Sequence, residues 1–438
     1  MSAIKINPFK PNSPVNPGMF AGRLRQINKL ETSLFQTKAG HPINSLITGE
    51  RGIGKTSLLN YFKYLATGMI KLEGHQFKFL VIEIDIDQNM TQYSLIKKIE
   101  LGLQKELGQT EKARAFLKTA WSFIQRIEAC SIAVKEKETN EDRIVLSENF
   151  AYSLSDTINR LTEESNGESI FSAVYDGIIL LIDEADKCSS EVDLGTFLKM
   201  LLERLQKRGC EKFSIALAGL PDVRNVLHNS HPSSLRMFEE IPVDRLTDDE
   251  VRYVIDICLE EANKINEAKT TVTQEGKTLL TQLSEGYPHF IQQFGYSAFE
   301  YGVDGTIDAA DVRKSAFGKR GALNIIGDRY YRNDFYNKIE QDSYRQVLRI
   351  MSEKLDDWIT KKEIKNKYNG KSQTLDNAIN ALRRRHIILS AEGKPGTYRL
   401  QHKGFALWIS LYTTGDVLTP EKESGHTFGH EDETTIEE

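Results

Sequence analysis

The residues best placed to do chemistry lie between Ile47 and Phe62, ITGERGIGKTSLLNYF. Gly49, Gly52 and Gly54 fall together there, followed by Lys55, Thr56 and Ser57. A structural turn needs one or two glycines, not a lysine and a hydroxyl at fixed places behind them. The spacing Gly49-x4-Gly54-Lys55-Thr56 fits a phosphate-binding loop. Glycines let successive backbone N–H groups turn inward around an anion, and the helix that follows points its positive end at the same charge. The loop candidates are Gly49, Glu50, Arg51, Gly52, Ile53, Gly54, Lys55, Thr56 and Ser57. Lys55 would reach the β- and γ-phosphates, and the Thr56 hydroxyl would take one place on Mg²⁺.

A loop that hydrolyses its ligand also needs carboxylates, one beside the metal and one to orient water. The stretch GIILLIDEAD, Gly177 to Asp186, supplies them where an apolar strand ends. Asp183 is the candidate metal-side acid and Glu184 the candidate base for the attacking water. An apolar strand ending in acids is by itself an ordinary sheet edge; the glycine loop is what gives these acids a purpose. Together they point to a nucleoside triphosphate held with Mg²⁺ and to its hydrolysis. The letters D-E-A-D invite a helicase reading, but no second β-α-β set follows Gly219.

Elements must hold these residues. Asn44–Thr48 is predicted as a short buried strand and Thr56–Tyr64 as the helix behind the loop. Phe77–Ile86, Gly177–Asp186 and Lys212–Leu220 are further strands, too apolar for one wet face and so suited to a parallel sheet. Gly22–Lys38 reads as a helix, and 91–166 as mostly helical and charged. Strands alternating with helices indicate an α/β parallel sheet. After about Asp244 the strand signal fades, and helices are predicted at Thr247–Asn263, Gln274–Ser284, Pro288–Tyr301 and Ala309–Ala316. Beyond Tyr344 three helices and two short strands follow.

The totals agree with such a machine. At 438 residues the chain has room for two or three domains. It is 39% hydrophobic and 27% charged with net charge −5, so contact with nucleic acid must be a local patch. The four cysteines, Cys130, Cys188, Cys210 and Cys258, form no CxxC pair, which argues against a zinc site or disulfide framework. The N-terminus has no apolar core of a signal peptide, and no apolar run could span a bilayer. A cytoplasmic protein without a membrane partner is expected.

The order of motifs resembles the AAA+ ATPases, above all the replication-initiator (origin-recognition) clade and the related STAND signalling ATPases. The similarity runs roughly from Pro11 to Tyr412. MFAGRLRQINKL, Met19 to Leu30, looks like the clade's F-x-G-R-x-x-E opening, with Gln26 where an acid is usual. ALAGLPDV stands at the sensor strand, placing Asp222 nearest the polar sensor position. SSLRMFEEIPVDRLTDDEV resembles the stretch with a trans-acting arginine, and Arg236 matches it. EGYPHFIQQFGYSAF resembles the lid helix with a second sensor, although His289 or Gln292 stands where arginine is common. The resemblance implies a P-loop NTPase sheet of AAA+ type at 19–244, with a helical insertion around 103–168. A helical lid at 245–332 would follow. It also implies a homo-oligomer joined through ATP at subunit interfaces, with Lys55, Glu184 and Arg236 in catalysis.

The C-terminal pattern is helix, helix, helix and hairpin, a winged helix-turn-helix at 333–414 between the lid and an acidic, disordered tail at 415–438. A proline-rich arm, 1–18, opens the chain. From Glu353 to Lys403 twelve Lys/Arg face six Asp/Glu in a chain that is acidic overall. Such a module puts its third helix in the major groove of DNA and its wing on the backbone. Lys371, Ser372, Gln373, Thr374, Asn377, Arg383, Arg384 and Lys394 are the candidate contacts. The expected function is an ATP switch that assembles on duplex DNA, in replication initiation, transposition or defence against phage. The alternative is a STAND-like signalling ATPase whose winged helix contacts protein, with a partner encoded in the same gene neighbourhood.

Overall fold

The structure, a computed structural model, describes residues 5–13, 22–71, 75–133, 140–163, 170–171, 173–333, 335–336, 339, 341–355, 357–385, 387–391 and 393–413. Positions 14–18 of the arm, Met19, Phe20 and Ala21 of the opening motif, Glu392 at the wing tip and the acidic tail lie outside them. The chain divides into two compact units, Met1–Ser315 and Ala316–Glu438.

The first unit is built on five parallel strands in the order β2-β3-β4-β1-β5. These are β1 (Asn44–Gly49), β2 (Phe79–Asp85), β3 (Gly177–Asp183), β4 (Phe213–Gly219) and β5 (Phe238–Val243). Strands β3 and β4 are buried along nearly their whole length, which is why both read as unbroken apolar runs. Helices α1 (Leu24–Lys38), α2 (Lys55–Ala66) and α3 (Gln92–Leu107) cover the sheet, with α7 (Leu194–Lys207) and α8 (Val223–Ser230). The predicted start of the first helix at Gly22 moves to Leu24 because Arg23 adopts the left-handed conformation, with φ at 66°.

Between α3 and β3 run α4 (Glu111–Ala120), α5 (Ser122–Ala133) and α6 (Asn140–Thr162). They are part of the sheet's own core. Trp121 packs edge-on to Phe150, which stacks on Phe197 of α7. The Trp121 indole N–H donates to Thr157 Oγ1 over 3.1 Å, so this large ring is buried without an orphaned donor.

The unit continues with α9 (Asp248–Ile265), α10 (Gln274–Ser284), α11 (Pro288–Tyr301) and α12 (Ala309–Phe317). A two-residue parallel pairing, β6 (Thr271–Val272) with β7 (Thr306–Ile307), ties their loops together. Thr247 and Glu250 form a capping box that starts α9. Residues near the N-terminus lie across these helices. Asn266 exchanges two hydrogen bonds with the Ile6 backbone, and Asn7 donates to Glu300. Phe9 is buried against Gly295, where any side chain would collide with its ring.

The second unit contains α13 (Ala322–Ile326), a π-helical turn, α14 (Asp342–Ser352), α15 (Lys361–Lys367), α16 (Ser372–Arg384) and α17 (Lys403–Tyr412). Strands β8 (Ile359–Thr360), β9 (Ile388–Ser390) and β10 (Thr397–Leu400) form an antiparallel sheet in the order β8-β10-β9. The predicted helices and hairpin strands are present; β8 and α17 are additional. Helix α16 buries Leu375, Ala378, Ile379 and Leu382 at helical spacing. An aromatic cluster of Tyr331, Phe335, Phe405 and Trp408 fills the other end. Gly327 admits Trp408 so closely that a Cβ there would overlap the indole.

Candidate nucleotide site

Strand β1 ends at Gly49, where a Cβ would stand 2.8 Å from the Val243 carbonyl oxygen and from the Ile53 side chain. No other residue fits. The chain then turns through Gly52 (φ 77°) and Gly54 (φ 102°), conformations that favour glycine, and enters α2 at Lys55. Ile53 is buried beneath the loop, while Arg51 and Thr56 are exposed. Lys55 Nζ donates to the carbonyl oxygens of Gly49 and Glu50, each over 2.9 Å. Burial pulls its ammonium below the ordinary lysine range, against the opposing charges of Asp183, Asp186, Glu184 and Glu50.

Strand β3 delivers the acids to the same edge. The Thr56 hydroxyl donates to Asp183 Oδ2 over 2.7 Å, and Glu184 N–H donates to Asp183 Oδ1 over 2.7 Å. Glu184 sits at φ 55°, a left-handed conformation that carries backbone strain for a glutamate. Its carboxylate is paired with Lys187 Nζ at 2.6 Å. The Thr56 hydroxyl and the Asp183 carboxylate are thus the residues that could hold a metal. Among the described residues no group of three or more His, Cys, Asp or Glu forms a metal cage. Mg²⁺ at phosphoryl-transfer sites takes one or two protein oxygens and fills its other places with phosphate and water. This donor set fits it.

Asp186, the last acid of the run, is a residue the motif reading missed. Its Oδ1 accepts the Leu220 N–H over 2.8 Å and lies against Gly219, binding the end of β3 to the end of β4. The signal was an acid three places beyond Asp183, opposite a glycine. Asp222, the residue nearest the sensor position, is exposed and accepts from Asn225 Nδ2 over 2.9 Å.

Helix α11 and its N-cap residue Tyr287 meet the loop directly. Tyr287 Oη donates to Glu50, the His289 N–H points at the Gly52 carbonyl oxygen over 3.4 Å, and Pro288 faces Gly54. Arg23 Nη2 donates to the Ile53 carbonyl oxygen over 3.1 Å from the other side. Gln292 is committed elsewhere: it is buried and accepts the Lys10 N–H of the arm over 2.7 Å. Of the two second-sensor positions, His289 is therefore the one beside the loop. Arg236 lies far from all of this. It precedes Phe238, which pairs with Asn44 at the start of β1, whereas the loop leaves β1 at its other end beside Val243. It is exposed and makes no side-chain hydrogen bond or ion pair among the described residues.

In the second unit, Lys371, Ser372, Gln373, Asn377, Arg383, Arg384 and Lys394 are exposed, and Thr374 is half-buried. Gln373, Asn377 and Arg384 follow at helical steps on the face of α16 opposite its buried leucines.

The AAA ATPase domain family matches residues 19–213. This segment, under half of the chain, is similar to an AAA ATPase domain and contains the phosphate loop with strands β1, β2 and β3. The ORC2 protein of Aeropyrum pernix, solved as ADPNP–ADP complexes, is similar over 93% of this chain and 96% of that one. The identity is 13% and the TM-score 0.54. The likeness is one of fold. CDC6P of Pyrobaculum aerophilum (16% identity, 94% and 98% covered, TM-score 0.45) is also similar. So is the Aeropyrum pernix ORC1 protein in complex with DNA (16%, 91% and 94%, 0.42). At those scores neither adds weight. No curated protein sequence matches the chain significantly.

Proposed function

We propose that this protein is a Mg²⁺-dependent ATPase that works as a switch on duplex DNA. The observation that carries the enzymatic part is the 2.7 Å bond between Thr56 and Asp183, which brings the two halves of a metal site together from the first turn of α2 and the end of β3. The glycine loop and the N-terminus of α2 receive the phosphates, and Lys55 turns from the loop carbonyls to the β- and γ-oxygens. Mg²⁺ when bound supplies charge neutralisation between those oxygens. Glu184 leaves Lys187 to orient water against the γ-phosphate. Arg236, remote from its own loop and facing outward, completes the site of a neighbouring copy, so hydrolysis requires assembly.

The second unit is read as a winged helix, with α16 in the major groove and the β9–β10 turn at Lys394 on the backbone. The outward face of α16 and the local excess of basic residues support it. The boundaries 19–244, 245–332 and 333–414 remain the proposed base, lid and winged helix. The test is ATP turnover of the full chain with and without Mg²⁺ and duplex DNA. Turnover should stop on metal removal and change when duplex is added. Absence of both turnover and nucleotide binding would sink the ATPase reading. Indifference to DNA, with no duplex bound at low salt, would make the second unit a protein-contact module and favour a signalling ATPase.

A further inference from the structure

Glu50 poses a physical problem. The motif leaves its position free, yet it places a carboxylate in a loop built to attract anions, where its charge opposes that of a phosphate. The structure gives that carboxylate a partner, the hydroxyl of Tyr287 on the lid. Tyr287 is only 1% exposed, its ring lies against Phe290, and the Arg245 guanidinium sits 4.7 Å from its centroid. The preceding Gly286, at φ 74°, leaves no room for a side chain because the Leu246 carbonyl oxygen is 2.4 Å from where a Cβ would stand. The phenol is therefore aimed by a turn that favours glycine, and its buried ring packs against Phe290 and the Arg245 guanidinium. Burial and the bond to Glu50 hold its proton well above the ordinary tyrosine range, so it remains a donor at any working pH.

We propose that Tyr287 is a positioning residue for the nucleotide: its hydroxyl, bonded to Glu50, latches the lid to the phosphate loop, and opening this latch limits nucleotide release. The inference rests on the ATPase reading of the same loop. Three consecutive residues of α11 and its N-cap approach the loop, but Pro288 only faces Gly54 and His289 makes a long backbone bond. The Tyr287–Glu50 bond is the charged one, and a hydrogen bond to a carboxylate is stronger than either of these.

The test uses the full chain with Tyr287→Phe, Glu50→Ala, Glu50→Gln and the double variant Tyr287→Phe/Glu50→Ala. Release of a fluorescent ADP analogue is followed by stopped flow. Tyr287→Phe and Glu50→Ala should each speed release about ten- to a hundredfold, the range for a lost bond to a charged group. The double variant should be no faster than either single change, because both break one bond. Glu50→Gln, whose amide oxygen still accepts, should keep most of the slow release; a merely structural role for the side chain would show no such rescue. Amide hydrogen exchange without nucleotide should rise together at residues 49–54 and in the first turn of α11 in the Phe variant. Unchanged release, additive single effects or unchanged exchange would each overturn the latch. A wild-type chain that bound no nucleotide would defeat the ATPase reading instead, and exchange alone would then decide whether the latch exists.

Discussion

Around the phosphate loop the polar side chains hold one another. Lys55 is turned onto the loop carbonyls, Thr56 onto Asp183, Glu184 onto Lys187 and Asp186 onto the backbone of Leu220. On α16 the arrangement is reversed. Lys371, Asn377 and Arg383 are exposed and make no side-chain hydrogen bond or ion pair among the described residues. The first pattern suits a ligand of fixed shape, because Thr56 and Asp183 already hold each other and Lys55 and Glu184 each exchange one defined partner for another. The second suits a long, repetitive polyanion, where mobile cations at the rim set affinity by charge rather than by fit. Arg236 crosses the division. It belongs to the first unit yet faces outward like the residues of α16.

That exception sets the largest expected effects. Arg236→Ala and Glu184→Gln should each slow ATP turnover about a thousandfold, where the ranges for an arginine finger and a positioned base overlap. They should differ in rescue. Mixing Arg236→Ala with Lys55→Ala subunits restores some hydrolysis, because mixed interfaces pair an intact loop with an intact arginine. Glu184→Gln should instead accumulate the ATP-bound assembly. Turnover of Arg236→Ala at the wild-type rate would return that residue to the plain surface.

Next in size, Lys55→Ala should weaken ATP binding about a hundredfold by removing the side-chain cation from the β- and γ-phosphates. Equilibrium titration with a fluorescent ATP analogue measures it, and undiminished affinity in a folded variant would break the contrast at its tighter end. Smaller still is the effect on DNA. The Arg383→Ala/Arg384→Ala variant should bind every duplex more weakly and flatten the log–log salt slope by up to about two, since each phosphate contact contributes about −0.9. Fluorescence anisotropy across a salt series decides this. A slope unchanged by the variant would mean that the outward face of α16 is not a phosphate-contact surface.

The smallest effect concerns stability in acid. Glu363 caps α15 and is held at about 2 by the Thr360 N–H, the Thr360 hydroxyl and Lys354. Its folded value lies below its ordinary 4.5, so its contribution is present above pH 4.5 and lost as the pH falls through about 2. Thermal unfolding of the second unit should therefore weaken across that window, and Glu363→Gln should flatten this part of the acid dependence. An identical acid profile in the variant would show the cap to be inert.

Local pattern made much of this legible. The strands at Gly177 and Phe213 are buried on both faces as expected, whereas the one at Phe79 exposes Glu83 and Asp85 on one face, and α10 and α11 have the predicted bounds of Gln274–Ser284 and Pro288–Tyr301. Lys55, Thr56, Asp183 and Glu184 meet because strand order brings together two edges that each carry a recognisable motif. What stayed hidden depends on residues far apart in the chain. Tyr287 and Glu50 are separated by 237 positions, and Lys10 and Gln292 by 282. Nothing local distinguishes a lid glutamine that could serve as a sensor from one holding the arm. Strands β6 and β7, two residues each, are too short to show any alternation.

The place of β1 between β4 and β5 has a consequence for how the protein is made. Both neighbours of this strand follow it in the chain, and Asn44 bonds to Met237 across a separation of 193 residues. At about 5–20 residues per second, a ribosome needs roughly 10 to 40 seconds to cover that distance. Until β4 is made the strand that ends in the phosphate loop has two unpaired edges, and the edge that β5 covers stays open throughout that interval. A nascent chain halted before Val243 would leave one of them open permanently, ready to pair with a second unfinished copy.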